Sequence, residues 1–325
     1  MNKILKLISS VFIALLATIS ISKAEVKVVA SIKPIHSLAS YVMDGVGKPD
    51  LIVDGYNSPH GFSLKPSHAK MIENADLIIW VGEDLEAFLE KPLNTIAKKA
   101  VNIEIMDLSG VKKLKFREKN IFEGHDDHGH GHKEKKHDDH GHKKAKHDDH
   151  GHEEHAHGEH DPHVWLDPMN AKVIIKEIEK QLVKLDPDNS SKYKANSKKA
   201  QSELDNLTKN IKRDLKGNLR FVVFLDAYQY FENRFNIKSA GALTLNPEVL
   251  PGAKQIAEIQ ELIEHDNVKC IFSEPQYNPK IIEMLSADMK VSTSVLDPLG
   301  ADINAGPKMY NNLILQIANS LKDCS

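Results

Sequence analysis

Histidine is concentrated in one short part of this chain. Fourteen of its eighteen histidines lie between residues 125 and 163, and the hexapeptide His-Asp-Asp-His-Gly-His starts at His125, His137 and His147. Neutral imidazole is a frequent ligand for zinc, and these close spacings allow one segment to hold an ion through several rings. The pattern predicts metal contact, with a solvated, charge-balanced loop as the alternative.

We name residues 123–160 the histidine tract. It contains almost no apolar side chain that could be buried, so we expect a disordered insertion when no metal is bound. The tract by itself does not distinguish storage, transport or use of a metal. Its candidate additional metal ligands are His147, His150, His152, His155, His157 and His160.

The amino-terminal residues predict export. Two lysines precede an apolar run over residues 8–21, and small side chains at Ser22 and Ala24 suit a signal peptidase. The run is short for a membrane span, and no cysteine follows it to accept a lipid. We expect a signal peptide over 1–24, cleaved near Ala24, and a soluble periplasmic protein.

The chain has two cysteines, Cys270 and Cys324. An even pair in an oxidising compartment favours a disulfide, which would also fix the carboxyl terminus. Two isolated free thiols are the alternative.

Charge excludes one class of partner. The formal net charge is -3, with 43 basic and 46 acidic residues interspersed along the chain. A strongly basic nucleic-acid surface is therefore absent from the sequence, and we expect no nucleic acid to bind.

The elements that must position these residues follow a β/α alternation. Short apolar runs of strand length alternate with segments of helical period, which is typical of parallel sheets covered by helices. Roughly 300 residues remain after cleavage, which is more than usually fold around a single hydrophobic core. The expected fold class is α/β, with an amino-terminal lobe over 25–188, a linking helix over 189–216 and a carboxyl-terminal lobe over 217–325.

The expected helices and strands are specific. Strands are predicted over 26–32, 50–53, 77–81, 101–106, 220–225, 239–244, 270–273 and 291–296. Helices are predicted over 34–45, 67–74 with Ser67 as its N-cap, 83–98 and 309–321.

One long helix is predicted between the lobes. It starts from the Asp186-Pro187 pair and continues to Gly217, with apolar residues at helical spacing. At 1.5 Å per residue it would span on the order of 40 Å. A coiled-coil partner helix is the alternative to an intramolecular strut. A rigid strut predicts a small tilt between the lobes on binding.

Three side chains outside the tract could meet between the lobes. In parallel sheets, ligands bind where the strands end, and His60, His163 and Asp297 all lie in loops at predicted strand ends or helix starts. Each also has a simpler interpretation: His60 as a surface loop residue, His163 as the last member of the tract, and Asp297 as a helix cap.

Five segments resemble a known family. Residues 59–67, 74–82, 161–168, 273–276 and 296–300 read PHGFSLKPS, NADLIIWVG, DPHVWLDP, SEPQ and LDPLG. In this order, they are similar to the periplasmic zinc-binding proteins of ABC-type zinc uptake systems, the ZnuA family. The resemblance covers nearly the whole mature chain and includes the histidine-rich insertion and the cysteine pair.

The resemblance implies two β/α lobes joined by a rigid helix, with zinc in the cleft between them. It implies that His60 and His163 are metal ligands from the first lobe. It further implies that Asp297 is a carboxylate at or beside the metal. The implied partners are the zinc ion and an ABC permease in the inner membrane, and we expect a monomer.

One position departs from the family pattern. Zinc-type members carry a metal-binding histidine immediately before the Asp-Ala-Tyr triplet, and manganese-type relatives carry a glutamate. This chain has Leu225 there. Three replacements stay open: a water molecule, Asp226 brought in by a local twist, or a tract histidine such as His157 or His160.

The expected function is therefore a zinc receptor for uptake, not an enzyme. A receptor for manganese or another divalent metal, or a zinc buffer or adhesin working through the tract, is the alternative. A metalloenzyme would use a zinc-bound water, but no His-Glu-x-x-His motif is present.

Overall fold

The computed structural model describes residues 25–122, 158–217 and 219–324. The predicted signal peptide lies outside these residues, as does the histidine tract from 123 to 157.

Two separate parallel sheets of four strands each form the framework. In chain order the strands are β1 (Val28–Ile32), β2 (Asp50–Val53), β3 (Leu77–Trp80), β4 (Val101–Glu104), β5 (Phe221–Leu225), β6 (Gly241–Thr244), β7 (Cys270–Ser273) and β8 (Ser292–Val295). The strand orders are β2-β1-β3-β4 and β6-β5-β7-β8. The two sheets thus share one topology, which confirms the predicted α/β class.

Helices cover the sheets. They are α1 (Lys33–Val42), α2 (Pro66–Asn74), α3 (Glu83–Thr95), α4 (Pro168–Leu185), α5 (Ser190–Asp214), α6 (Gln229–Phe235), α7 (Ala253–His265), α8 (Lys280–Met289) and α9 (Met309–Asp323). The central strands β1, β3 and β5 are buried along their whole length. Strands covered on both faces need continuous apolar runs, which is the pattern that the sequence shows.

The predicted N-cap Ser67 is wrong by two positions. Helix α2 begins at Pro66, and Lys65 is its N-cap residue. Proline is favoured at the first helical position because its missing N–H would have no partner there. The imidazole of His68 accepts a hydrogen bond from the Lys65 backbone N–H at 3.2 Å, so His68 helps to start this helix.

The long helix between the sheets is α5. A short 3-10 turn over Pro187–Asn189 precedes it, so the α-helix starts a few residues later than the Asp186-Pro187 pair predicts. Its 25 residues span about 37 Å. One stripe of α5 is buried, including Tyr193 and Leu204, while the rest is polar. The helix is therefore held by packing within the chain.

The last helix returns to the first. The Ser37 hydroxyl of α1 donates to the Gly306 carbonyl at 2.7 Å and accepts from the Tyr310 N–H of α9 at 2.9 Å. At its other end α9 is joined to β7 by the disulfide between Cys270 and Cys324, which confirms the predicted pair. None of the helices in the described ranges is long and apolar enough to cross a membrane.

Candidate metal site

His60 and His163 lie together between the two sheets. His60 is in the loop after β2, and His163 immediately precedes the 3-10 turn Val164–Leu166. Their ring centroids are 5.6 Å apart. Two imidazoles bound to one tetrahedral zinc have centroids roughly 5 Å apart, because each ligating nitrogen lies about 2 Å from the ion. The spacing therefore suits a shared ion.

Two adjoining cavities are lined by these rings. The larger has a volume of about 280 Å³, and the smaller has about 10 Å³, space for roughly one water-sized body. His60, His163 and Leu225 line both cavities. Three of the residues that the sequence singles out are thus brought together.

His163 is held in one orientation by Asp161. Its Nδ1 donates to the Asp161 carboxylate at 2.7 Å, and its backbone N–H donates to the same oxygen at 2.9 Å. Asp161 is fully buried and also accepts from the Gln229 side chain at 3.2 Å. A carboxylate on one ring nitrogen fixes the tautomer, so the Nε2 of His163 presents a lone pair for a metal.

Asp161 was not predicted from the sequence to have a role. The available signal was its place two residues before His163 in the Asp-Pro-His segment. Pro162 fixes one backbone angle between them, and the resulting turn lets the aspartate bond both the backbone and the ring of His163.

Leu225 contributes an apolar wall. It ends β5, is 2% exposed and has no atom that could bind a metal. Asp226, one of the three replacements left open by the sequence, is paired elsewhere, because its carboxylate accepts from the Arg117 guanidinium at 2.7 Å. Burial raises the pKa of Asp226 to about 8, against the opposing effect of Arg117. Asp226 lines the larger cavity, but metal binding would compete with Arg117.

Asp297 is buried and already accepts several hydrogen bonds. Its donors are the Leu299 N–H at 2.9 Å, the Gln276 amide at 2.8 Å and the Ala301 N–H. No helix starts here, so the helix-cap interpretation is wrong; the carboxylate organises the loop after β8. It lines neither of the two cavities.

A second buried carboxylate, Glu274, lines the smaller cavity with both histidines. It follows β7, is 3% exposed and accepts from the Tyr228 hydroxyl at 3.2 Å. Burial raises the pKa of Glu274 well above its usual range, and the nearby charge of Asp297 acts in the same direction. In the sequence, Glu274 stands in the Ser-Glu-Pro-Gln segment, one of the five that resemble the zinc-uptake family.

The described side chains do not form a complete metal cage. Within 25–122, 158–217 and 219–324, no three His, Cys, Asp or Glu side chains are arranged to hold a metal ion. Of the tract candidates only His160 falls within these ranges; its backbone pairs with Lys115, and it lines neither cavity. His147, His150, His152, His155 and His157 lie outside the described residues.

Comparison with known proteins identifies relatives over the whole chain. The model of the family described as "ZnuA: Zinc-uptake complex component A periplasmic" matches residues 28–324. A protein of Brucella abortus (strain 2308), the high-affinity zinc uptake system protein ZnuA, is 46% identical over 324 residues, covering 98% of this chain and 97% of the relative.

Solved structures share the fold. A crystal structure of ZnuA superimposes with a TM-score of 0.71 at 22% identity, covering 92% of this chain and all of the other. A zinc-bound deletion mutant of ZnuA lacking 138–173 gives a TM-score of 0.70 at 20% identity, covering 93% of this chain and 97% of the other. At these identities the likeness concerns the fold.

Proposed function

Because the chain belongs to the ZnuA family of periplasmic zinc-uptake components, we propose that it captures Zn²⁺ in the cleft between its lobes through His60 and His163. The protein is a zinc-binding receptor for zinc uptake and not an enzyme. In this proposal residues 25–188 and 217–325 act as the two lobes, 189–216 links them, and the receptor works as a monomer.

One observation supports the cleft site above all others. Two imidazoles from separate loops line the same cavity, and the buried Asp161 carboxylate holds one of them in a single orientation. A buried histidine with no binding role rarely needs a second imidazole at metal-sharing distance. Asp297 lies at or beside the ion in this proposal, and its hydrogen-bonded loop limits its movement.

Delivery follows from the same arrangement. Neutral nitrogen donors bind zinc reversibly, and a small tilt of the lobes would enclose the ion or release it. We propose that docking on an ABC permease in the inner membrane favours the open form and transfers the ion. Export through the predicted signal peptide places the receptor in the periplasm.

The histidine tract would hold further zinc ions more weakly. The composition of the tract predicts that zinc must order it on binding, at an entropic cost, so affinity for each tract ion should be lower than at the cleft. His147, His150, His152, His155, His157 and His160 are the proposed tract ligands.

Deleting residues 125–157 tests this division and retains the anchored end of the tract, since Gly158 donates to Asp84 at 2.8 Å. Calorimetry with Zn²⁺ should show several ions bound to the mature chain and one tight ion bound to the deletion variant. The variant carrying both the deletion and His60→Ala should lose the tight ion. If the deletion removes nearly all zinc, the protein is a buffer working through its tract. Titration with Mn²⁺ in the same series measures metal preference.

A further inference from the structure

The carboxyl-terminal lobe lacks the donor expected opposite the two histidines. Leu225 stands at that position and cannot bind a metal, while the Asp297 carboxylate accepts from two backbone N–H groups and from Gln276. Zinc in proteins usually has four donors, with water filling an open position. His60 and His163 alone leave two positions to be filled.

The strand register places another carboxylate beside Leu225. Strands β5 and β7 are parallel neighbours in which Phe221 is paired with Cys270. Four residues further along each strand, Leu225 lies next to Glu274. Neighbouring residues in register on parallel strands project to the same face, so Glu274 extends from the same sheet edge that Leu225 occupies. Both side chains line the smaller cavity with His60 and His163.

The surroundings of Glu274 suit a cation. The residue is 3% exposed, and among the described residues no Lys, Arg or His forms an ion pair with it. A buried carboxylate without a positive partner is costly. Two imidazoles line the same cavity, which has space for about one water-sized body. As they stand, these three side chains are not arranged to hold an ion. A divalent ion that drew them together would neutralise the carboxylate and bind both rings.

We propose that Glu274 is a direct zinc ligand, supplying from β7 the donor that Leu225 cannot supply from β5. This inference rests on the proposed cleft site and names its third protein ligand. The Glu274 carboxylate accepts from the Tyr228 hydroxyl at Oε1, at 3.2 Å, and from the Leu225 backbone N–H. A carboxylate has about four lone-pair positions, so it can keep both hydrogen bonds and still bind an ion. The resulting set is two imidazoles and one carboxylate, with water in the remaining position.

Glu274→Gln in the mature chain tests the proposal. Glutamine keeps the shape and can still accept from Tyr228, but it removes the charge. Competition with a zinc chelator, which reports the tightest class of site, should show at least about tenfold weaker binding. The melting temperature of the zinc-free variant should stay close to that of the parent, because glutamine keeps the shape of the side chain and its hydrogen bond to Tyr228.

Glu248→Gln is the matched control. Glu248 is an exposed carboxylate on the wall of the larger cavity, so the same charge change should alter zinc affinity by less than about twofold. If Glu274→Gln behaves like this control while His60→Ala weakens binding, Glu274 is not a ligand and the cleft site stands. If His60→Ala also leaves the affinity of the tightest class of zinc site unchanged, the proposed cleft site itself is wrong.

A zinc-bound crystal structure of the unmodified chain gives a test that needs no variant. The ion should lie about 2.0 to 2.2 Å from an Oε atom of Glu274. An ion bound by His60 and His163 but beyond about 3 Å from both Oε atoms would overturn the proposal.

Discussion

At the scale of single residues, Asp161 decides how His163 can act. The carboxylate accepts from both the ring Nδ1 and the backbone N–H of His163, and it is itself held by Gln229. Such partners raise the basicity of a metal-binding imidazole and restrict its rotation. Binding strength should thus depend on a residue that does not touch the ion.

Asp161→Asn should weaken zinc binding in the cleft by about tenfold to a hundredfold. The amide is neutral and can turn its NH₂ toward Nδ1, which favours the wrong tautomer of His163. Calorimetry on protein lacking residues 125–157 would measure the change. Asp205→Asn, which alters an exposed partner of Lys172, should have no effect. Equal affinities for Asp161→Asn and the parent would show that His163 needs no such support.

Leu225→His should tighten cleft zinc by at least about tenfold, on the order of 1.4 kcal/mol. Leu225 lines both cavities with the two histidines, so an added imidazole would replace an exchangeable water with a fixed donor. The deletion background again removes competing tract histidines. Leu225→Met, which keeps an apolar side chain, serves as the control. An unchanged affinity would mean that another group already fills the fourth position.

At the scale of elements, the junction between β3 and α3 is built on a buried acid. Oε2 of Glu86 accepts from the backbone N–H groups of Val81 and Gly82, at 2.7 and 3.2 Å. Burial raises the pKa of Glu86 from 4.5 to about 7, although these hydrogen bonds lower it. The loop therefore contains a carboxyl that is easier to protonate in the folded protein than in the unfolded chain.

This pKa shift predicts how stability depends on pH. The folded pKa of about 7 exceeds the unfolded value of 4.5, so folding binds a proton between them. Glu86 therefore contributes most to the free energy of unfolding below pH 4.5. This contribution, on the order of 3 kcal/mol, is lost as pH rises to about 7. Urea unfolding of zinc-free protein at pH 5 and pH 8 would measure it.

Glu86→Gln should remove this part of the pH dependence, because its side chain does not titrate. Glu90→Gln changes an exposed carboxylate of the same helix. In this control, the free energy of unfolding should depend on pH as it does in the parent. If the parent and Glu86→Gln show the same dependence of unfolding free energy on pH, the dependence does not come from the raised pKa of Glu86.

The disulfide ties α9 to the start of β7. It joins cysteines 54 residues apart with a Cα–Cα distance of 5.8 Å, and closing a loop of this length stabilises the fold by about 4 kcal/mol in the chain-entropy model. Replacing both cysteines by serine should lower the free energy of unfolding by a comparable amount while zinc affinity changes little. Two titratable thiols in unreduced, denatured protein would contradict the bond.

At the scale of the whole molecule, buried hydrogen bonds cross between the lobes. Lys33, the first residue of α1, donates to the Gly300 and Ala301 carbonyls at 3.2 and 2.9 Å. The Trp165 indole donates to the Pro298 carbonyl at 2.8 Å. These bonds join α1 and the Val164–Leu166 turn to the loop after β8, and α5 packs against α1, α4 and α9. A wide hinge motion would break several of them.

Zinc binding should therefore change the shape of the molecule little. The radius of gyration of compact protein without residues 125–157 should be about 19 Å, and the zinc-free and zinc-bound forms should agree within about 1 Å. Small-angle X-ray scattering on both forms measures this. A contraction of several ångströms would show that the lobes close as a hinge, and that the crossing bonds form only in the bound state.

The sequence by itself determined the architecture and the identity of two proposed ligands. Continuous apolar runs located the central strands β1, β3 and β5 to within a few residues, since a strand buried on both faces must be apolar throughout. His60 and His163 could be named because they stand in short, distinctive segments. The disulfide could be named because the chain has only two cysteines and is predicted to be exported. The start of α2 was predicted two residues too late, because the helix begins with Pro66 and not after Ser67 as its N-cap.

Tertiary structure decided which side chains face one another. The sequence could not show that Arg117 pairs with Asp226, that the Asp297 carboxylate is surrounded by N–H donors, or that Glu274 shares a cavity with both histidines. Each fact depends on the register between strands and on the packing of distant loops, which local patterns do not encode. The chemistry at the cleft is set by these long-range contacts, because burial and partners determine which carboxylate can meet a metal.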